Sequence, residues 1–210
     1  MKRVCLFMTL VCMMMVSCKP DGSDGKDEGH EYVDLEGHGY VDLGLSVKWA
    51  TCNVGANAPE EYGDYFAWGE TSPKAEYTEE NSLTYGKDMS DISGNPQYDA
   101  ATANWGGSWR MPTYDELKEL KNQCTWTWTT QNGVNGYKVT GPSGASIFLP
   151  AAGWLNGSSL DDAGSDGNCW SSTPSYILYG RAYGLLFDSV FQDVDYGFRR
   201  YGFSVRPVVE

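Results

Sequence analysis

The chain has 210 residues, a formal net charge of −13 and 14% aromatic residues. An acidic chain without a basic run is unsuited to nucleic acid or to anionic membrane surfaces, because both repel it. The length suffices for one domain with a sizeable core. The two histidines, His30 and His38, lie at the N-terminal edge of that domain, which argues against a histidine triad or a histidine zinc site.

The N-terminus is organised like a lipoprotein signal peptide. Lys2 and Arg3 precede an apolar stretch at 4–16, which is too short to span a bilayer and has the length of a signal-peptide core. Residues 15–18, Met-Val-Ser-Cys, resemble the lipobox of bacterial lipoproteins, which is cleaved before the cysteine that carries the acyl chains. We therefore predict a signal peptide at 1–17 and lipidation of Cys18. The alternative is an ordinary secretory peptide that happens to contain a cysteine.

The segment after Cys18 is predicted to be a tether. Residues 19–31 contain no large apolar side chain, so ordering them would not be offset by burial. They resemble the acidic stretch that follows the lipidated cysteine in many surface-exposed lipoproteins of Bacteroidetes. We expect a lipidated cysteine and flexible acidic tether at 18–31, a globular domain at 32–210, and a lipid-anchored, surface-exposed location at the bacterial outer membrane.

From residue 32 onward, short apolar stretches alternate with Gly, Asn, Asp and Pro, which is typical of a loop-rich β or α+β domain. Residues 47–52 alternate as a strand with Val47 and Trp49 on one face. One helix is well signalled at about 113–124, because Thr113 and Glu116 form a capping box and Leu117, Leu120 and Cys124 share one face.

The stretch after the helix predicts further strands. Alternating residues on either side of Asn132-Gly133 predict a hairpin, and a second turn is predicted at 141–144. Further strands are predicted at 183–189 and 202–208. Seven tryptophans of the domain are expected in the core: Trp68, Trp105, Trp109, Trp126, Trp128, Trp154 and Trp170.

Three cysteines remain in the mature domain. Cys52, Cys124 and Cys169 allow one disulfide and one leftover thiol in an oxidising compartment. A pairing of Cys124 at the helix end with Cys52 beside a strand is geometrically reasonable. The residues alone leave the pairing open.

Several ordered blocks resemble the Fibrobacter succinogenes major paralogous domain of Bacteroidetes envelope proteins, over residues 40–208. The blocks lie at 40–45, 48–56, 61–70, 109–117, 147–154 and 204–207. The resemblance implies a C-type-lectin-like fold, shared with formylglycine-generating enzymes, in which a helix packs on small twisted antiparallel sheets. It also implies a disulfide between Cys52 and Cys124. Cys169 departs from the family pattern and is expected to be an unpaired, partly buried thiol.

The C-terminal stretch resembles the variable segment of a diversity-generating retroelement. The family frame survives at Trp170–Pro174 and Gly202–Pro207, and at single positions that include Leu185 and Phe187. Most of the residues between them are reachable from an Asn codon by changing its adenines; Gln192 is not. Strand alternation places Tyr183, Leu185 and Phe187 on the core face and the residues between them towards solvent.

We predict a ligand-binding segment at 175–199. Many of its outward residues are apolar or aromatic and would form one exposed cluster, which is typical of recognition surfaces. The alternative is that this aromatic-rich stretch is simply core. The predicted ligand-binding residues are Tyr176, Ile177, Leu178, Tyr179, Arg181, Gly184, Leu186, Asp188, Val190, Phe191, Gln192, Asp193, Asp195, Tyr196, Phe198 and Arg199.

The residues carry no catalytic signature. No cysteine pair matches the site of the formylglycine-generating enzymes, and no pair of carboxylates is singled out for glycoside hydrolysis. Asp161, Asp162, Asp166 and Asn168 resemble a calcium loop only weakly, since they fail the EF-hand spacing. We therefore expect no enzyme and no cofactor, a macromolecular or glycan ligand, and a role in adhesion. The alternative is an accessory subunit of a fimbrial or envelope assembly with this face buried against a partner.

Overall fold

The structure is a computed structural model that describes residues 32–33 and 37–210. The predicted signal peptide, the lipidation site at Cys18 and the tether lie outside the described residues. Neither helix of the described part has the length or apolar composition needed to cross a membrane.

The described residues form two helices and four antiparallel sheets, an α+β arrangement dominated by strands. The sheet orders are β1-β2-β3-β12, β4-β5-β6, β7-β8 and β11-β10-β9. The fold class predicted from the sequence is therefore confirmed at this coarse level. The elements are β1 (Tyr32–Val33), β2 (Gly39–Val41), β3 (Lys48–Ala50), α1 (Ala100–Trp105), α2 (Tyr114–Gln123), β4 (Thr125–Gln131), β5 (Val134–Thr140), β6 (Ser146–Pro150), β7 (Trp154–Asn156), β8 (Ser159–Asp161), β9 (Gly167–Pro174), β10 (Arg181–Phe187), β11 (Gln192–Phe198) and β12 (Val208–Val209).

Helix α2 begins and ends where its sequence predicts. The Thr113 side-chain oxygen accepts a hydrogen bond from the Glu116 N–H at 3.3 Å, and the Glu116 carboxylate accepts one from the Thr113 N–H at 2.8 Å. Leu117 and Leu120 are buried, and Cys124 is the C-cap. This capping box satisfies two N–H groups that the helix leaves without intrahelical partners.

The hairpin β4–β5 turns at Asn132 and Gly133, with φ angles of 48° and 85°. A two-residue turn with both φ angles positive matches the right-handed twist of its strands, and Asn-Gly adopts it readily. The other strand predictions are confirmed only in part. β10 begins at Arg181, and residues 202–204 make isolated bridges to 155, 66 and 169 before the short strand β12.

Two clusters of buried side chains form the core. The first joins Leu117 and Leu120 of α2 to Leu185 and Phe187 of β10, and the second gathers around Trp170. The sheet β11-β10-β9 therefore lies between the two clusters. Among the tryptophans predicted to be core, Trp68, Trp109 and Trp170 are buried, whereas Trp105, Trp126, Trp128 and Trp154 are only half-buried.

The cysteines correct one expectation. No disulfide joins Cys52, Cys124 and Cys169. Cys124 caps α2 and packs against the first cluster, whereas the Cys52 thiol, after β3, donates a hydrogen bond to the Ala56 carbonyl oxygen at 3.3 Å. The disulfide between Cys52 and Cys124 is therefore not formed. Cys169 is fully rather than partly buried, and burial raises the pKa of its thiol to about 11.

Candidate ligand-binding surface

The predicted ligand-binding residues occupy the loop 175–180 before β10, the hairpin β10–β11, the hairpin's turn at 188–191, and position 199 directly after β11. The pairing of Arg181 with Phe198 and of Phe187 with Gln192 sets the register of the hairpin. Since a strand rises about 3.3 Å per residue, the loop and the turn lie at opposite ends, about 20 Å apart. The exposed apolar residues therefore form two groups and not the single cluster predicted from the sequence.

The loop 175–180 carries the most exposed aromatic side chains of the segment. Tyr176, Ile177 and Tyr179 are 66%, 83% and 70% exposed. The loop backbone is tied at both ends, since the Ser175 N–H donates to the Arg181 carbonyl at 3.0 Å and the Arg199 N–H donates to the Gly180 carbonyl at 2.8 Å. The expectation that these residues face solvent is confirmed, and the alternative that they are core is excluded for the chain by itself.

The turn at the other end presents Val190 and Phe191, which are 87% and 51% exposed. The Asp188 carboxylate holds this turn by accepting hydrogen bonds from the N–H groups of Val190 at 2.8 Å and Phe191 at 2.9 Å. Asp188 is half-buried, and its carboxylate stabilises the backbone of this turn.

Strand β11 is the edge of its sheet, and its own side chains cover that edge. Asp193 and Asp195 each accept a hydrogen bond from the following N–H, of Val194 and Tyr196, at 2.8 Å. Asp193 also pairs with Lys121 of α2 at 2.7 Å, and this hydrogen bond keeps the pKa of Asp193 below its ordinary value. Capped N–H groups are poor templates for an added strand, so this edge is unsuited to binding a peptide by strand addition.

Two predicted site residues are buried and are corrected here. A Cβ at Gly184 would lie 2.7 Å from the Cys169 carbonyl oxygen, so the position is closed to side chains. Arg199 is 1% exposed. Its guanidinium donates to the backbone carbonyls of Thr84 and Lys87 at 3.2 and 2.8 Å and lies over the Trp68 ring. Both residues support the fold and are unavailable to a ligand.

The core face of β10 follows the predicted alternation in part. Leu185 and Phe187 are buried, whereas Tyr183 is half-buried with its ring 4.5 Å from that of Tyr114. Leu186, between the two buried residues, is half-buried and faces a cleft.

This cleft, which we call the aromatic cleft, has a volume of about 340 Å³. Four of the predicted ligand-binding residues line it, together with Trp154, which was expected in the core, and with Tyr201 and Phe203, which were not among the predicted ligand-binding residues. The backbone bridge between Leu155 and Gly202 brings the segment that carries Trp154 next to the segment that carries Tyr201 and Phe203. The lining residues are Trp154, Asp162, Asp166, Asn168, Arg181, Leu186, Tyr196, Gly197, Phe198, Tyr201 and Phe203.

The acidic residues of the aromatic cleft, Asp162 and Asp166, belong to the segment that weakly resembles a calcium loop in the sequence. Asp162 accepts a hydrogen bond from the Trp154 Nε1–H at 3.3 Å, and Asp161 accepts one from Ser159 at 2.7 Å. Burial, followed by the charges of Asp162 and Asp188, raises the pKa of Asp166 above its ordinary value. Within residues 37–210 no group of three or more His, Cys, Asp and Glu side chains is arranged to hold a metal ion.

Residues 114–208 match the family model of a domain of unknown function, DUF8237. The match is shorter than half of the chain and runs from α2 to β12, so it includes the hairpin and the aromatic cleft. No curated protein and no solved structure matches the chain. The C-terminal part of the chain is thus similar to this family.

Proposed function

We propose that the chain is a ligand-binding lipoprotein of the bacterial outer membrane, held at the cell surface by acyl chains on Cys18. Its C-type-lectin-like domain uses the segment 175–199 as a recognition face for a macromolecular or glycan ligand. The function is binding and not catalysis, and the face is diversified by a retroelement.

The observation that carries this proposal is the exposed loop 175–180. Tyr176, Ile177 and Tyr179 project into solvent from a backbone that is hydrogen-bonded at both ends. Large apolar side chains on a monomer surface are characteristic of interaction sites. Because the loop is already ordered, binding through it loses little conformational entropy, and Tyr offers a large contact area at low entropic cost.

The separation between buried and exposed positions supports diversification. Substitution at an exposed position changes stability by about 0.5 kcal/mol or less, whereas substitution in the core costs several times more. Tyr176, Ile177 and Tyr179 can therefore change freely while Leu185 and Phe187 are retained.

Sequencing the locus deeply across isolates tests the diversified face. We expect changes to concentrate at Tyr176, Ile177 and Tyr179. We expect Gly184 and Arg199, which lie within the same segment but are buried, to be as constant as the core. These two positions are the matched controls, since a mutational process alone would change them as well.

Two results would contradict the diversified face. Changes spread evenly along the chain would remove the reason to assign recognition to 175–199. A segment without changes would instead favour the alternative, an accessory subunit whose 175–199 segment is covered by one constant partner.

The lipid anchor has its own test. Cells grown with radiolabelled palmitate are expected to label the full chain, and Cys18→Ser is expected to remove the label and release the protein from the membrane fraction. Several acyl chains bind a membrane stably, because each buried methylene contributes about 0.8 kcal/mol. Cys52→Ser is the control and should keep the label. A label that persists in Cys18→Ser would show that the anchor is elsewhere.

A further inference from the structure

The aromatic cleft contains a continuous row of three rings. Trp154 and Tyr201 have ring centroids 4.5 Å apart and planes tilted by 59°, whereas Tyr201 and Phe198 have centroids 5.4 Å apart and nearly perpendicular planes at 87°, so the three rings do not form one flat surface. All three side chains are half-buried, while Phe203 behind them is buried. Trp154, which has no cation over its ring among the described contacts, presents ring surface to the cleft, whose volume of about 340 Å³ lies within the roughly 300–1,000 Å³ range of small-molecule sites.

The rings are held in position before any ligand binds. The Arg200 guanidinium lies over Tyr201 at 4.5 Å and over Phe198 at 5.4 Å. Arg200 is itself fixed by Asn156 at 2.7 Å and by Glu79 at 3.5 Å. A sugar that lies on Trp154 therefore has neighbouring rings that are already ordered, which removes one of the usual costs of binding.

Polar groups stand at both ends of the ring row. Asp162 accepts a hydrogen bond from Trp154, with Asp166 nearby in the lining, and both keep acceptor positions for hydroxyl groups. At the other end Arg181 lies over the Phe198 ring at 3.9 Å, and no described acidic side chain forms an ion pair with it. Its N–H groups are therefore available as donors beside the rings.

This combination selects a class of ligand. The face of an aromatic ring is negative and attracts the weakly positive C–H groups on one face of a sugar ring, while carboxylates and a guanidinium bind the hydroxyls at the sugar's edge. An extended peptide is disfavoured because the β11 edge is capped by Asp193 and Asp195. A polyanion is disfavoured because two carboxylates line the cleft.

We propose that the aromatic cleft binds an uncharged oligosaccharide chain, one sugar ring of which lies on Trp154 beside Tyr201. Asp162, Asp166 and Arg181 bind its hydroxyl groups. This inference rests on the proposed ligand-binding function and names the ligand class and the place on the surface.

Affinity electrophoresis of the full chain tests the inference. The protein is run in native gels that contain xylan, mannan, starch or mixed-linkage β-glucan as uncharged polymers, and pectate as the charged one. We expect at least one uncharged polymer, and not pectate, to retard the wild-type chain. Trp154→Ala should weaken that retardation about tenfold or more, the effect of losing roughly 1.4 kcal/mol of ring contact.

Matched variants separate recognition from folding. Asp162→Asn keeps the shape of the side chain and should weaken binding about fivefold, because hydrogen bonds to a charged group are the stronger ones. Its neighbour Asp161 does not line the cleft, so Asp161→Asn should bind like the wild type. Trp154→Phe keeps a ring and should retain most of the binding, and thermal melting identifies any variant that fails to fold.

Each outcome decides between the two proposals. No retardation by any uncharged polymer, or retardation that survives both Trp154→Ala and Asp162→Asn, overturns the glycan site. Retardation lost in Tyr176→Ala but not in those two variants places recognition on the loop 175–180, which overturns the cleft and leaves the proposed function standing. The proposed function has a separate test, the sequence variation across isolates, and it fails if the changes do not concentrate in 175–199.

Discussion

Replacing Arg206 by Ala is expected to destabilise the chain by about 3–5 kcal/mol, one of the largest effects of any single substitution. Arg206 is 1% exposed and donates to the Asn53 side chain, the Ala50 carbonyl and the Phe148 carbonyl, each at 2.9 Å. Alanine leaves three buried acceptors without these donors and also leaves a cavity. Burial lowers the pKa of Arg206 to about 10, and release from that burial offsets only part of the loss.

Denaturant unfolding measures this effect, and a melting temperature lower by about 10 °C should accompany it. Arg206→Lys keeps the charge but not the planar fork, so it should recover little of the stability. Lys138→Ala, on the exposed face of β5, should stay within about 0.5 kcal/mol of the wild type. If Arg206→Ala has the same free energy of unfolding as Lys138→Ala, the three hydrogen bonds do not hold β3 and β6 together.

Features specified by neighbouring residues are the ones that the sequence predicts best. The capping box of α2 involves Thr113 and Glu116, and the β4–β5 turn involves Asn132 and Gly133. In each case the physical cause lies within four residues of its effect. Helix α1 escaped prediction because its six residues are too few to show a periodic pattern; its N-cap is Asp99, whose carboxylate accepts a hydrogen bond from the Thr102 N–H at 3.0 Å.

Features that join distant parts of the chain were predicted less well. The exposure of Tyr176 and Val190 was expected from the resemblance to a variable segment, but the separation of the two exposed groups depends on the β10–β11 register. The aromatic cleft depends on Trp154 meeting Tyr201 across the Leu155 to Gly202 bridge. No spacing in the sequence signals that contact.

Contacts between distant parts of the chain also explain why two buried residues, Arg199 and Gly184, were predicted to bind a ligand. Arg199 is separated by more than a hundred positions from Thr84 and Lys87, whose carbonyls it binds. Its burial is therefore invisible to a local pattern, and a charged residue beside an exposed loop is naturally expected at the surface. Gly184 is closed by the Cys169 carbonyl of the neighbouring strand, which is again a matter of register.

Gly153 is the second position where one substitution should have a large effect. Its φ angle is 67°, and a Cβ there would collide with the Asp161 carbonyl oxygen and lie 2.7 Å from the Ala163 N. Both obstacles are backbone atoms, so no side-chain rotation relieves them. The left-handed conformation costs an L-residue about 1 kcal/mol, and the collision adds roughly 1–3 kcal/mol of overpacking.

We therefore expect Gly153→Ala to destabilise the chain by about 3 kcal/mol in denaturant unfolding. Gly157→Ala is the matched control, because its φ angle is 60° and nothing lies within 4 Å of the added Cβ; it should cost only about 1 kcal/mol. The difference between the two variants isolates the backbone collision. Equal losses would mean that the segment carrying Asp161 and Asp162 moves freely, and a cleft built on that segment would then lose the rigidity on which its ligand binding depends.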